Sequence, residues 1–556
     1  MDGGEQLRGV VRTGAAAGDA SPVPSQSPAS SSLPPARGIA AAAGLITLGN
    51  AASRLLGLVR EQVIAGLFGR EVAASMFKTA ATVPTMVYDL VIGGAVSAAL
   101  IPVFAEYTSR ADEEGRAELG RVVGTIAALA LLVLSAVTAV LILLAPSVAW
   151  ALGVVHAPGA QDQTILLVRI ALPSVIFLGL SSIVTALLYA RQEFAFPAFA
   201  VAFYNAGIIL GALLLAPVLG VTSLVLGVLL GAICQLALQL VGLRRARIRL
   251  AVDLRHPAVR RILKLYAPVA LGLVVSQVGV IVDRNLAWRT GEDSVAVMSY
   301  ATTLIQLPLG LVATATSFAV LPRLSRHAAE ADGLDAYKQT LALGLRMALL
   351  AIVPATVVLV LLQAPLVQLL FERGAFDAQA TRITATAVLF YAPQLPFVAV
   401  DQLLIFAFYA RKNTLTPALV GLAGVGIYLV GGLLLIGPGG LGLRGLVLAN
   451  TLQNSLHAVL LFGLLWRAAG SLAGYAVGRA ATKAVVAAVP MGLAGWAAGG
   501  QVPLDRGVLA LLVALGLTLV LCGLVYVAAL ALLRAEEVGD ALQFVRRRFV
   551  RRKVGV

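Results

Sequence analysis

Few residues of this chain could do chemistry, because ionisable side chains are sparse inside its long apolar runs. The densest group lies in SRLLGLVREQVIAGLFG, residues 53–69, where Arg54, Arg60 and Glu61 interrupt an apolar stretch. Lys78 and Asp89 follow in the next run, Asp283 and Arg284 sit side by side in a later one, and Arg169, Arg346, Asp401 and Lys483 complete the set. Each such group costs about 2.5–3.5 kcal/mol on insertion scales, so it faces a hydrated cavity or a partner. Arginine suits a phosphate-bearing headgroup, because its planar fork donates two parallel hydrogen bonds. Arg54, Arg60, Glu61, Lys78 and Arg284 are therefore candidates to line an anion-binding cavity. Asp283 either compensates Arg284 or binds a coupling ion, H⁺ or Na⁺. Arg169, Arg346 and Lys483 lie nearer span ends and read as interfacial snorkellers or ion pairs between helices.

Helical geometry sharpens the first group. Glu61 follows Arg54 by seven residues and lies within about 20° of it, whereas Arg60 is turned away from Arg54 by about 240°. The expectation is that Glu61 orients Arg54 and that Arg60 enters the cavity from another side of the helix. Enzymatic chemistry finds little support. The four histidines, His156, His256, His327 and His457, show no metal-ligand spacing, and His327 with Glu330 reads as a solvated loop pair. The glycine-rich GPGGLGLRG and GGQVP follow no strand, so no phosphate-binding loop, metal site or bound cofactor is expected beyond coupling to the membrane potential, H⁺ or Na⁺.

The elements that must position these groups are membrane helices. Of 556 residues, 59% are apolar and 12% charged, and the mean hydropathy is +0.92. An unpaired backbone amide in hydrocarbon costs several kcal/mol, so a spanning segment is a helix of about 20 residues or a closed barrel. A barrel needs ten-residue alternation of apolar and polar positions, and the runs here are continuous, as from Val508 to Leu533. About fourteen spans result: 38–66, 73–104, 122–152, 163–189, 195–215, 222–243, 265–288, 295–321, 339–371, 383–409, 415–436, 445–466, 480–499 and 507–533. Cys234 and Cys522 lie far apart in apolar runs and read as packing residues.

Residues 1–37, rich in Ala, Gly, Ser and Pro, read as a disordered tail rather than a signal peptide. The net charge of +15 is a topology signal and not a nucleic-acid footprint. With the first residues inside, the inside segments hold 29 Lys and Arg against six outside, which places both termini in the cytoplasm. The basic linker 244–264 is then cytoplasmic and partly helical on the membrane surface, and the basic tail 534–556 suits anionic lipid headgroups. A repeat appears at an offset of 220 residues: Tyr189-Ala190-Arg191 with Pro197-Ala198 matches Tyr409-Ala410-Arg411 with Pro417-Ala418, and Pro102, Pro173 and Ser97 fall onto Pro322, Pro393 and Ser317. Each unit holds six spans, so both lie the same way up. The resulting architecture is all-α: a six-helix lobe over 38–243, a second over 265–466, and two further helices within 467–533.

SRLLGLVREQVIAGLFG followed by GGAVSAALIPVFAEY resembles the opening of the MurJ/MviN family of lipid II flippases, in the superfamily of multidrug and polysaccharide exporters. LPSVIFLGLSSIVTALLYARQEFAFPA, the stretches YAPVALGLVVSQVGVIVDRNLA and LPLGLVATATSFAVLPRLS, and the pair FERGAFDAQAT and FYARKNTLTPA are similar too, so the resemblance covers residues 40–470 in order. It implies two six-helix lobes around a central cavity, with the last two helices forming a groove for the lipid tail. The implied function is to move lipid II, the undecaprenyl-pyrophosphate-linked peptidoglycan precursor, across the bacterial inner membrane by alternating access. Lipid II and membrane lipids are the implied partners, and cell-wall synthesis proteins are further candidates. Arg54 and Arg60 match family arginines implicated in binding the pyrophosphate, and Glu61 matches an acidic position beside them. The chain departs from the family where an aspartate and an arginine are replaced by Ser75 and Tyr88, and where an Asp-Arg pair is replaced by Thr302 and Thr303. The alternative is a related exporter of another lipid-linked glycan or a drug; a cationic drug would call for acidic cavity residues, against the arginines of the first span.

Overall fold

A computed structural model describes residues 36–90, 99–109, 112–244, 251–253, 255–330, 332–437, 440–500, 502 and 507–535. Among them every regular element is helical. In chain order these are α1 (Ala36–Phe68), α2 (Val72–Tyr88), α3 (Ile101–Thr108), α4 (Glu113–Leu143), α5 (Ala145–Ala151), α6 (Pro158–Ala171), α7 (Ser174–Ala190), α8 (Ala195–Leu219) and α9 (Thr222–Leu243). Next come α10 (Pro257–Thr290), α11 (Ser294–Ala329), α12 (Leu334–Leu361), α13 (Gln363–Phe371), α14 (Ala378–Tyr391), α15 (Leu395–Ala410), α16 (Leu415–Ile436), α17 (Leu443–Ala469), α18 (Val477–Gly499) and α19 (Val508–Leu532). Contacts divide the chain after Gly44. Of the first unit only the opening of α1 is described; the core and the charged residues of the site belong to the second unit, from Leu45 onward.

Among the described residues, ten helical stretches are long and apolar enough to cross a membrane: α4, α6 with α7, α8, α9, α12, α14 with α15, and each of α16 to α19. The other four expected spans correspond to α1, α2 with α3, α10 and α11; three of these carry the charged residues of the candidate site. The span expected over 73–104 brackets residues 91–98, so Gly93, Gly94 and Ser97 fall outside the described residues, as do the tail 1–35, residues 245–250 of the basic linker and the tail from 536.

Two helices begin well before their expected apolar starts, and in both cases a cap is the reason. Asp112 accepts a hydrogen bond from the Gly115 amide at 3.1 Å, and Glu113 and Glu114 follow where the helix dipole favours negative charge, so α4 starts nine residues before 122. His256 Nδ1 accepts from the Ala258 amide at 3.2 Å and Pro257 occupies the first turn, so the end of the basic linker already belongs to α10.

Helix boundaries recur with the offset read from the sequence. α6 and α14 begin 220 residues apart, α7 and α15 end 220 apart, and α8 and α16 begin 220 apart. Pro173 and Pro393 each break a long helix at the same place, because proline cannot donate to the preceding turn. In the turns after α7 and α15, Gln192 and Lys412 both take φ of 60°, and the next residue donates back to Leu188 O at 2.8 Å and to Phe408 O at 3.0 Å respectively. α8 packs on α9 with Gly207 facing Gly231 and Gly211 facing Gly227, where an added Cβ would strike backbone. Apolar burial gives no drive between helices in lipid, so such close backbone approach is the means of holding them.

Candidate functional site

The site is built from α1 outward. Glu61 is buried, with 4% exposure, and a lone carboxylate there would be prohibitive; it takes two cations instead. Arg60 Nη2 donates to Glu61 Oε1 at 2.7 Å, and Lys78 Nζ, reaching over from α2, donates to Glu61 Oε2. The Lys78 ammonium lies 5.6 Å from the Tyr300 ring centre, within range of a cation–π attraction. Arg60 Nη1 donates to Asn205 Oδ1 of α8 at 3.0 Å, and Asn205 Nδ2 donates to Ser53 O at 3.2 Å, which ties α8 back to α1. The third guanidinium position, Arg60 Nε, is buried with no hydrogen-bond partner among the described residues. One carboxylate against two cations leaves a positive excess.

α2 continues the network toward α10. Thr79 Oγ1 accepts from Trp288 Nε1 at 3.0 Å, and Thr82 Oγ1 accepts from Arg284 Nε at 3.3 Å. Arg284 pairs with the adjacent Asp283 at 3.3 Å, and the other Asp283 oxygen accepts from the Tyr428 hydroxyl of α16 at 2.8 Å. Asp283 and Arg284 thus compensate each other, as one of the two sequence readings holds.

The expectation for Glu61 needs correcting: it pairs with Arg60 and Lys78, not with Arg54. A helical stripe locates Cβ atoms, and neighbours i and i+1 ordinarily diverge. The arginine stem is long enough to bring its charge round to the adjacent carboxylate. Arg54, two turns before Glu61 in α1, is exposed and lies against Gly310 of α11, where a Cβ would strike its guanidinium. So Arg60, Glu61 and Lys78 come together, Arg284 joins through a threonine of the same helix as Lys78, and Arg54 stands apart.

The positions that depart from the family pattern are closed on neutral partners. Ser75 Oγ accepts from the Ala296 amide at 3.1 Å, Tyr88 accepts from the Ser182 hydroxyl at 2.8 Å, and Thr302 and Thr303 donate to carbonyls of their own helix at 2.8 and 2.9 Å. Arg169 donates to Ile142 O at 3.3 Å and Lys483 to Arg534 O at 2.9 Å, so each caps a backbone carbonyl at the helix periphery. Sequence reasoning missed Asn205, Trp288 and Tyr428. Asn205 did leave a signal: apart from the neighbouring Tyr204, it is the only polar side chain in α8.

The far end of α1 is pinned. Arg70 pairs with Asp293, Tyr300 donates to Gly69 O at 2.8 Å, and the Ala375 amide donates to Gly66 O at 2.8 Å. Gly69 takes φ of +56° with its Cα facing the Ala375 carbonyl, a position that both backbone and space reserve for glycine.

A family model described as lipid II flippase MurJ matches residues 64–516. The match begins after Glu61, so it does not rest on Arg54, Arg60 or Glu61. The lipid II flippase MurJ of Burkholderia cenocepacia is 30% identical over 383 residues, 66% of this chain and 73% of that protein. The probable lipid II flippase MurJ of Haemophilus influenzae is 31% identical over 470 residues, 80% of this chain and 89% of its own. Among solved structures, a lipid II flippase MurJ in an inward closed conformation superposes with a TM-score of 0.72 at 20% identity, covering 89% of this chain and 99% of that one. An inward-facing MATE-family multidrug transporter superposes at 0.63 with 15% identity, covering 76% and 96%. These two likenesses show a shared fold.

Proposed function

The chain belongs to the lipid II flippase MurJ family, and we propose that it carries lipid II from the cytoplasmic to the outer leaflet by alternating access, supplying cell-wall synthesis. It is a multi-pass bacterial membrane protein of transporter fold. The observation that carries the reading is the Arg60–Glu61–Lys78 cluster: two cations on one buried carboxylate, with Arg60 Nε left over as a donor. A pyrophosphate supplies the acceptors that such a cluster lacks, and its charge offsets the positive excess. A cationic drug would meet repulsion there, which disfavours the multidrug alternative.

In this reading Arg60 and Lys78 hold the pyrophosphate, Glu61 positions both, and Arg54 and Arg284 extend the cationic lining. The protein sits in the inner membrane with both termini cytoplasmic, as the 29-to-six charge asymmetry supports. Transport draws on the membrane potential or on an ion gradient, and cell-wall synthesis proteins receive the cargo.

The test is flipping of labelled lipid II in proteoliposomes, beside rescue of a flippase-depleted bacterium. Arg60→Lys keeps one charge but loses the fork, so flipping is expected to fall by about tenfold or more, with Arg60→Ala lower still, at unchanged folded yield. Wild type that leaves lipid II in place, or an abundant, folded Arg60→Ala that flips at the wild-type rate, overturns the reading.

A further inference from the structure

The second half of the chain contains an ionisable pair that the cargo site does not use. His457 of α17 places Nδ1 2.7 Å from Asp401 Oδ1 of α15, with 13% and 17% of the two side chains exposed. Both lie within helices long and apolar enough to cross the membrane. Toward one end the pair is continued by neutral groups: Asn454 Nδ2 donates to Gln394 Oε1 at 2.6 Å and to Asn450 Oδ1 at 3.1 Å. Asn450, Asn454 and His457 recur at helical spacing on α17, facing Gln394 and Asp401 on the α15 side, so the polar groups form a track along the interface.

The other edge of the imidazole meets α16 at glycine. A Cβ at Gly421 would lie 3.9 Å from His457 Nε2, and one at Gly424 3.6 Å from Cδ2, so no α16 side chain covers that edge at these positions. The remaining helices packed on α15 and α17 carry Arg323 on α11, Arg346 and Tyr337 on α12, Tyr391 on α14, and Asp283 of α10 with its partner Tyr428 of α16; of these Tyr337 touches α15, donating to Ala407 O at 2.8 Å.

The repeat shows that packing alone does not require charge here. Asp401 lies 220 residues after Ser181, in the register that relates Tyr189 to Tyr409. At that earlier position α7 and α9 are joined by neutral groups only: Ser181 donates to Gln239 Oε1 at 2.6 Å, Gln235 donates to Ser181 at 2.9 Å, and Gln239 donates to Thr185 at 2.7 Å. Hydroxyls and amides therefore suffice to join these helices, while the second half bears the cost of a carboxylate and an imidazole in the membrane.

We propose that His457 and Asp401 form a proton-binding site between α15 and α17 that couples transport to protons. Nδ1 keeps its hydrogen toward the carboxylate, and Nε2, on the glycine-faced edge, takes a proton from water and later returns it to water. The pair thereby alternates between a net charge of −1 and neutrality. Only the transport arm of this inference rests on the lipid II reading.

The test uses the full chain in lipid nanodiscs with ¹⁵N-labelled histidine, His457 being assigned by loss of its signal in His457→Gln. Between about pH 5 and pH 9, Nε2 of His457 is expected to pass between protonated and bare while Nδ1 stays protonated. A signal constant over that range overturns the proton site whatever the cargo. In proteoliposomes, wild-type flipping at about pH 6 and pH 8 is expected to differ severalfold, with the ratio falling to near one in His457→Gln and in Asp401→Ser, which restores the residue type of the first half. Folded variants that keep the wild-type ratio overturn the coupling. If lipid II is not moved at all, the nanodisc titration still decides the site.

Discussion

The helix pair α8–α9 and its counterpart α16–α17 hold the same place in the order of elements and are joined by different means. In the first pair Gly207 and Gly211 meet Gly231 and Gly227, backbone against backbone. In the second, backbone closure is confined to the end of the seam, where Gly445 meets the Leu435 carbonyl; further along, Gly424 faces the side chains of Gln453 and His457, and Gly431 faces the Ala449 methyl. Charge is distributed unequally as well. The first half gathers it on Glu61, which serves Arg60 and Lys78 at once; the second holds the pairs Asp283–Arg284 and Asp401–His457, whose carboxylates are more exposed than that of Glu61. A tight, glycine-closed half with one charge cluster suits a fixed grip on cargo. A looser half with side chains in its seams has room to repack.

Glu61→Ala tests the largest difference. It leaves two cations in a buried site without their carboxylate, and loss of one partner of a buried pair costs about 3–5 kcal/mol. Asp283→Asn should cost less than half as much, because that pair is partly solvated and Arg284 keeps its bond to Thr82. Unfolding in mixed detergent micelles measures both. Equal costs would erase the contrast between the halves.

Glycine substitution probes the seams. A Cβ at Gly231 would run into the Tyr204 carbonyl, whereas one at Gly424 would lie 3.4 Å from the movable end of Gln453. Gly231→Ala is therefore expected to cost about 1–3 kcal/mol through forced backbone shifts, and Gly424→Ala close to nothing. The same unfolding measurement decides it, and a costly Gly424→Ala would mean that the second seam is as tight as the first.

Legibility in the sequence obeys the same physics. Apolar runs announce helices because lipid forces the backbone to satisfy itself, and Pro173 and Pro393 mark their breaks through the missing amide. The register of the repeat could be read because Tyr, Arg and Pro recur with it. Pairing was harder. The stripe joining Arg54 to Glu61 failed because the reach of an arginine stem, and a lysine arriving from another helix, decide where charge settles. The partners Asn205, Tyr428 and His457 lie more than fifty residues from the groups they meet, so spacing within one helix carries no trace of them. The 220-residue register offered one unused lead, since it lays Ser181 onto Asp401.

Ser181→Ala carries the smallest expected effect and bears most directly on that correspondence. The hydroxyl gives one hydrogen bond to Gln239 and receives one from Gln235, and both are buried. Interhelical hydrogen bonds in membranes are worth about 0.6 kcal/mol on average, because the separated helices also find partners. Gln239 keeps its bond to Thr185, which limits the loss further. The variant should unfold within about 1 kcal/mol of wild type, and its flipping should keep the wild-type ratio between acid and alkaline conditions, since no charge has been removed. A changed ratio would mean that the neutral network of the first half also takes part in proton coupling. The difference between the two halves would then lie in how they sense the proton, not in which of them does.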